Sequence, residues 1–231
     1  MLLEWARPEV WRPWVSSALT PGLPQTDVVR RLKDRFRALR AFHAARPKDI
    51  APYYRCGIQP LSRGRWQELV AECFLSRVQS LALTAAIAQA RDVQFDMVRA
   101  GRVHFCCDER MLEERDGYHL IYGSLSLLAV AIQIDKEFGT HLKAALRARG
   151  EPVIFVCDIP TAMVEDEVLA RLVACLSEAH ARAAESGSPV APPGLHFSLP
   201  GALPAGAIVG HRRPRYVVDA VYGHHLGVRL S

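Results

Sequence analysis

The segment FHAARPKDIAPYYRCGIQP sets His43 at the end of an apolar run, with Tyr53 and Tyr54 following and a Gly57-Ile58-x-Pro60 exit. Histidine titrates near neutral pH, so His43 can serve as a base or a hydrogen-bond partner, and the tyrosines add flat faces for a planar ligand. In RVHFCCDERMLEERDGYHLIYGS, Tyr118, Leu120, Tyr122 and Ser124 recur at every second residue. If that run is a strand they share one face, which then carries two phenols and a hydroxyl. Asp108 and Arg110 fall in the turn before it, and Arg110 is a candidate clamp for a pyrophosphate. Carboxylates that could steady a developing positive charge are few: Glu165, Asp166 and Glu167 follow PVIFVCDIP, and Asp219 is the only acid after Glu185. Each has a plain alternative: a satisfied half-buried histidine, core aromatics, a solvated arginine.

The order of these features resembles the opening of the ADP-ribosyltransferase fold, found in DNA- and RNA-modifying ADP-ribosyltransferase toxins, the poly(ADP-ribose) polymerase catalytic domain and the RNA 2′-phosphotransferases. In the segment FHAARPKDIAPYYRCGIQP the matching histidine is His43. The resemblance implies NAD as substrate, with His43, Tyr54, Arg110, Tyr118 and Ser124 as its contacts and His43, Tyr122 and Asp219 as catalytic residues. It implies a toxin or antiphage-defence effector modifying a nucleic acid or protein. The chain departs from the common pattern at the catalytic carboxylate, since GAIVGH and RYVVDAVYGHH contain no Glu. The phosphotransferases use Arg and His there, which leaves His211, Arg212 and Arg213 as further candidates.

Several signatures are missing: GxxxxGK[ST], GxGxxG after a strand, GxSxG, HExxH and paired CxxC. A zinc site from His104, Cys106, Cys107, His224 and His225 would need its two halves to converge, and a Cys107–His119–Asp108 nucleophile would need the right geometry. No resident metal is expected. The six cysteines form no disulfide framework and read as reduced, mostly buried thiols.

These side chains need elements to position them. Thr26 reads as the cap of a basic amphipathic helix reaching Phe42, with Val28, Leu32, Phe36 and Leu39 as its apolar stripe. A short strand then ends at His43, and a short helix covers 49–55 before Gly57. Helices are predicted over 66–91, 125–149 and 164–185. Strands are predicted at RVHFCC, YHLIYGS, PVIFVCDIP, around Ile208 and over Tyr216–Val218. Strand and helix do not alternate regularly, which predicts an α+β class with a mixed, largely antiparallel split sheet and flanking and inserted helices. The first 25 residues carry Trp5, Trp11 and Trp14 among four prolines and read as an irregular arm or a short helix pinned by its aromatics.

One domain over residues 1–231 is expected, because half the residues are hydrophobic and 23% are charged, enough apolar mass for a sizeable core. No signal-peptide pattern and no apolar run of roughly 20 residues is visible, so the expectation is a cytoplasmic protein without membrane contact. Residues 1–65 hold thirteen Lys and Arg against five Asp and Glu, within a net charge of +5. That front offers two further readings: a non-catalytic nucleic-acid binder using Arg30, Arg31 and Arg37, or an interaction subunit docking through its Trp-rich arm.

Overall fold

The structure is a computed structural model that describes residues 1–18, 23–75, 80–97, 101–188, 190–219 and 227–229. Its centre is β2 (Ala38–Ala45), which pairs along its full length with the β-branched, apolar β4 (Val153–Pro160) in an antiparallel register of eight residue pairs. The sheet continues outward in the order β5 (His196–Pro200), β3 (Arg102–Cys106), β2, β4, β6 (Ile208–Arg212), with every neighbouring pair antiparallel. The other edge of β2 is shared. Its start takes the two-residue β1 (Leu2–Leu3) in parallel, and further along it meets β3 at one register pair, Phe42 with Cys106. A separate hairpin joins β7 (Tyr216–Val218) to β8 (Gly227–Arg229). The expected α+β class with an open, largely antiparallel sheet is what the chain adopts.

The pleat sends alternate side chains to two separate cores. Leu39, Ala41, Phe105, Phe155, Cys157 and Ile159 face α1 (Pro8–Ala18), α2 (Gln25–Arg35) and α10 (Asp166–Ser186). Phe42, Ala44, Cys106 and Ile154 face the layer built from α4 (Arg63–Phe74), α5 (Leu81–Met97), α7 (Tyr118–Tyr122), α8 (Leu125–Phe138) and α9 (Leu142–Arg147). The other described elements are α3 (Ala51–Cys56), α6 (Glu109–Glu114) and 3-10 turns at Thr161–Met163 and Ala205–Ala207.

Several expectations give way. The irregular reading of the arm yields to the short helix pinned by its aromatics, which is part of the first core. Trp5, Trp11 and Trp14 are buried, the Trp11 indole donates to the Trp5 carbonyl at 3.2 Å, and α1 runs on through Pro13. Burying a tryptophan removes ~200 Å² from water, about 5 kcal/mol of gross stabilisation, enough to offset a lost helix bond. The tryptophans are therefore not presented for docking. The basic helix stops at Arg35, where Phe36 turns extended, and the region to Phe42 is the start of the central strand. His43 lies within that strand, two residues before its end. The predicted helix over 66–91 is two helices, α4 and α5, and that over 125–149 is broken at Gly139, which takes a left-handed conformation. The run YHLIY is α7, not a strand, and β5 was missed.

One glycine fixes the geometry of the site. Gly57 closes α3 at φ 78° and ψ −170°, a conformation that essentially only glycine adopts. A Cβ there would overlap the Leu203 carbonyl oxygen, which accepts the Ile58 N–H at 2.9 Å. Glycine thus lets α3 dock on the turn that leads into β6.

Candidate ligand site on the central strand

Register alone lines up five rings across the sheet. Phe197 on β5 opposes Phe105 on β3, and His43 on β2 opposes Phe155 on β4, which opposes His211 on β6. The Phe42–Cys106 pair sets His43 beside Phe105. Successive ring centroids are 5.7, 5.7, 6.4 and 6.4 Å apart, the range of favourable aromatic contact. Helix α3 lays two further rings on the row. Tyr53 stacks on Phe155 at 4.4 Å, and the exposed Tyr54 shares a 2.8 Å hydrogen bond with His211 Nδ1. Arg149 and Arg65 are close enough to Tyr53 to act on it electrostatically, against the burial that raises its pKa.

His43 is half-buried at the centre of this row, and its Nδ1 lies 2.9 Å from the His104 carbonyl oxygen across the narrow joint between β2 and β3. Desolvation holds its pKa below the ordinary 6.5, so the ring is neutral at neutral pH. A carbonyl can only accept, so the single ring proton must sit on Nδ1 and the lone pair on Nε2. No described residue is bonded to Nε2. The result is a rigidly held, neutral imidazole with one open acceptor.

A second neutral histidine is His119 on α7, which the sequence offers only as the base of a Cys107 nucleophile. Desolvation pushes its pKa down to about 4, reinforced by His43, His104 and His196, with Asp116 opposing. Asp116 in turn is 3.2 Å from His196. No local pattern announces this cluster, which gathers residues from β2, β3, α7 and β5.

The other predicted residues meet elsewhere. Because α7 is a helix, Tyr118, Tyr122 and Ser124 do not share a strand face. Ser124 caps α8, its oxygen accepting the Leu127 N–H at 3.0 Å. Tyr118 stacks against His119 at 4.4 Å. Tyr122 is buried, donates to Asp219 Oδ2 at 2.7 Å and accepts from Arg147 at 2.7 Å, while Arg147 also reaches Asp219 at 2.9 Å. Burial and the Asp219 carboxylate raise the Tyr122 pKa. A phenol committed in this way has no face or proton for a ligand.

Arg110 forks onto Asp108 at 2.5–3.1 Å and lines a cavity with Trp5, Phe42 and Pro192. At the start of α10, Glu165 pairs with Arg102 and Asp166 with Lys33. Arg212 bridges Glu109 and Glu113, and Arg213 pairs with Glu151. Cys107 is buried with its pKa raised by desolvation, which removes it as a nucleophile. No cluster of three metal-ligating residues occurs among the described residues, and His224 and His225 lie outside them. No described helix is long and apolar enough to cross a membrane.

Comparison of the chain with protein-family models, with curated proteins and with solved structures finds no match.

Proposed function

We propose that the aromatic row binds a nucleotide with a planar ring, NAD in the first instance, and that the chain is an ADP-ribosyltransferase-like enzyme. The observation that carries this reading is His43: a neutral imidazole with Nδ1–H spent on a backbone carbonyl and Nε2 open. Such an acceptor suits a ribose hydroxyl. Tyr54 and His211 offer ring faces above Phe155; the cations nearest Tyr53, Arg65 and Arg149, are held by Glu68 and Glu72 and meet phosphates only by giving up those pairs.

Neutrality matters to the chemistry. Cleaving the nicotinamide glycosidic bond builds positive charge on the ribose, and a protonated histidine beside it would oppose that charge. The lowered pKa of His43 removes this repulsion, while its fixed tautomer orients the ribose before reaction. No carboxylate joins the aromatic row among the described residues, so the chain's own contribution is binding and orientation. The acceptor of ADP-ribose is a nucleic acid or a protein in this reading.

The basic front favours this reading over a plain nucleic-acid binder, because its cations are largely engaged. Arg30 holds Asp27, Lys33 holds Asp166, Arg40 holds Asp158 and Lys48 holds Glu72, while Arg46 binds the carbonyls of Leu120, Arg147 and Arg149. Thermal unfolding with added NAD tests the proposal. NAD is expected to raise the melting temperature, and His43→Ala to abolish the rise. No shift of the wild-type chain at millimolar NAD overturns it.

A further inference from the structure

Three cations from three separate parts of the chain converge on one carboxylate. Lys48 follows β2, Arg65 lies on α4 and Arg149 follows α9, and they reach Glu72 at 3.3, 3.5 and 3.2 Å. The backbone fixes where they meet. Arg46 donates to the Arg149 carbonyl at 2.7 Å, and the Glu151 N–H donates to the Pro47 carbonyl at 3.0 Å, which ties the loop carrying Lys48 to the loop carrying Arg149. Arg65 and Glu72, seven residues apart, share one face of α4.

The single carboxylate is overextended. Dedicated pairs in this chain close at 2.7–2.9 Å, as Arg40 does on Asp158, Arg212 on Glu109 and Arg147 on Asp219, the ordinary length of a charge-assisted bond. All three contacts to Glu72 are longer. Arg65 has a second partner, Glu68 at 2.9 Å, so three cations meet two carboxylates and the nest keeps a positive excess. Desolvation raises the Glu72 pKa, but hydrogen bonds from Arg149 and Lys48 outweigh it and hold the group below its ordinary value, so Glu72 is ionised at neutral pH. Two oxygens sharing one charge serve three cations poorly, whereas a diphosphate spreads more oxygens and more charge over the same donors. Glu72 and Lys48 are both exposed, so the carboxylate can leave without disturbing the core. We infer that this nest is a diphosphate subsite and that Glu72 is a built-in competitor which the diphosphate displaces. The carrier of the diphosphate rests on the nucleotide reading, since Arg149 and Arg65 both act on Tyr53 of the aromatic row; the nest itself does not.

The test is calorimetric titration with inorganic pyrophosphate at low salt. Glu72→Gln keeps the size of the side chain and removes the competitor, so it is expected to bind pyrophosphate about tenfold more tightly than wild type, the scale of one freed charge-assisted contact. Glu178→Gln removes the same charge from an exposed pair on α10 and should leave the affinity unchanged. Lys48→Gln should weaken binding by the wild-type chain and cancel the gain when added to Glu72→Gln; its exposed site keeps the inference testable if Glu72→Gln fails to fold. No gain in Glu72→Gln, an equal gain in Glu178→Gln, or binding indifferent to Lys48 overturns the inference. NAD titrated against the same variants separates the nest from its carrier. A gain with pyrophosphate and none with NAD upholds the nest and removes NAD as its ligand.

Discussion

His43 and Asp219 are both ionisable groups held by partners distant in sequence, yet they end in opposite conditions. Asp219 is almost fully enclosed and engages Tyr122 and Arg147 through one carboxylate oxygen, so the cluster fastens α7, α9 and the end of β7 together. His43 spends only one nitrogen, on the His104 carbonyl, and keeps the other open beside the buried rings of Phe105 and Phe155. A polar group sealed within the fold, as Asp219 is even at its unpartnered Oδ1, acts as a fastener. One that is oriented by the fold but left with an open lone pair is available to a ligand. That difference, rather than residue type, separates the two sets of predicted residues.

The contrast can be broken experimentally. The largest effect is expected where the open site is positioned: Gly57→Ala forces a strained backbone and a collision with Leu203, costing about 3 kcal/mol or more and displacing Tyr53 and Tyr54. Denaturant unfolding measures the loss, which should be accompanied by loss of any NAD effect. Asp219→Ala should cost about 2–3 kcal/mol by the same measurement, because a charged acceptor bonded to both Tyr122 and Arg147 disappears. If it costs nothing, the cluster is not a fastener.

A pH series separates the histidines. His119 falls from 6.5 in the unfolded chain to about 4 in the native one, so the unfolded state binds the extra proton first. Stability from this group is complete above pH ~6.5 and drains away as pH falls toward about 4. We expect wild type to lose up to about 3 kcal/mol more than His119→Gln across that window. His43 has the same sign, since its pKa is also lowered by desolvation. The smallest stability effect, about 1 kcal/mol or less at neutral pH, is expected for His43→Ala, since it removes one hydrogen bond from a half-buried side chain. A loss as large as that of Asp219→Ala would make His43 a fastener as well.

Much of this architecture is legible in residue patterns. PVIFVCDIP reads as a buried strand because nothing else accommodates eight such residues, and RVHFC follows the same logic. YHLIY is ambiguous in principle: Tyr118 and Tyr122 share a face at two-residue spacing in a strand and at four-residue spacing in a helix. The bracketing Gly117 and Gly123 are the local cue to a single short turn of helix. The overlong basic helix has a similar cause, for Phe36 and Leu39 continue the 3.6-residue stripe although the backbone has already turned extended. Of the site, His43, Tyr54 and His211 were nameable individually. Their alignment in one row was not, because it depends on registers between strands more than 50 residues apart. The tautomer of His43 depends on a carbonyl 61 residues away.

That separation also governs how the molecule comes into being. Arg40 on β2 waits for Asp158 on β4, 118 residues later. At synthesis rates of ~5–20 residues per second, β2 spends about 6–24 s with its long edge unpaired, and pairing then requires closure of a large loop. Folding of this chain should accordingly be slow and prone to association through β2, the strand that carries His43.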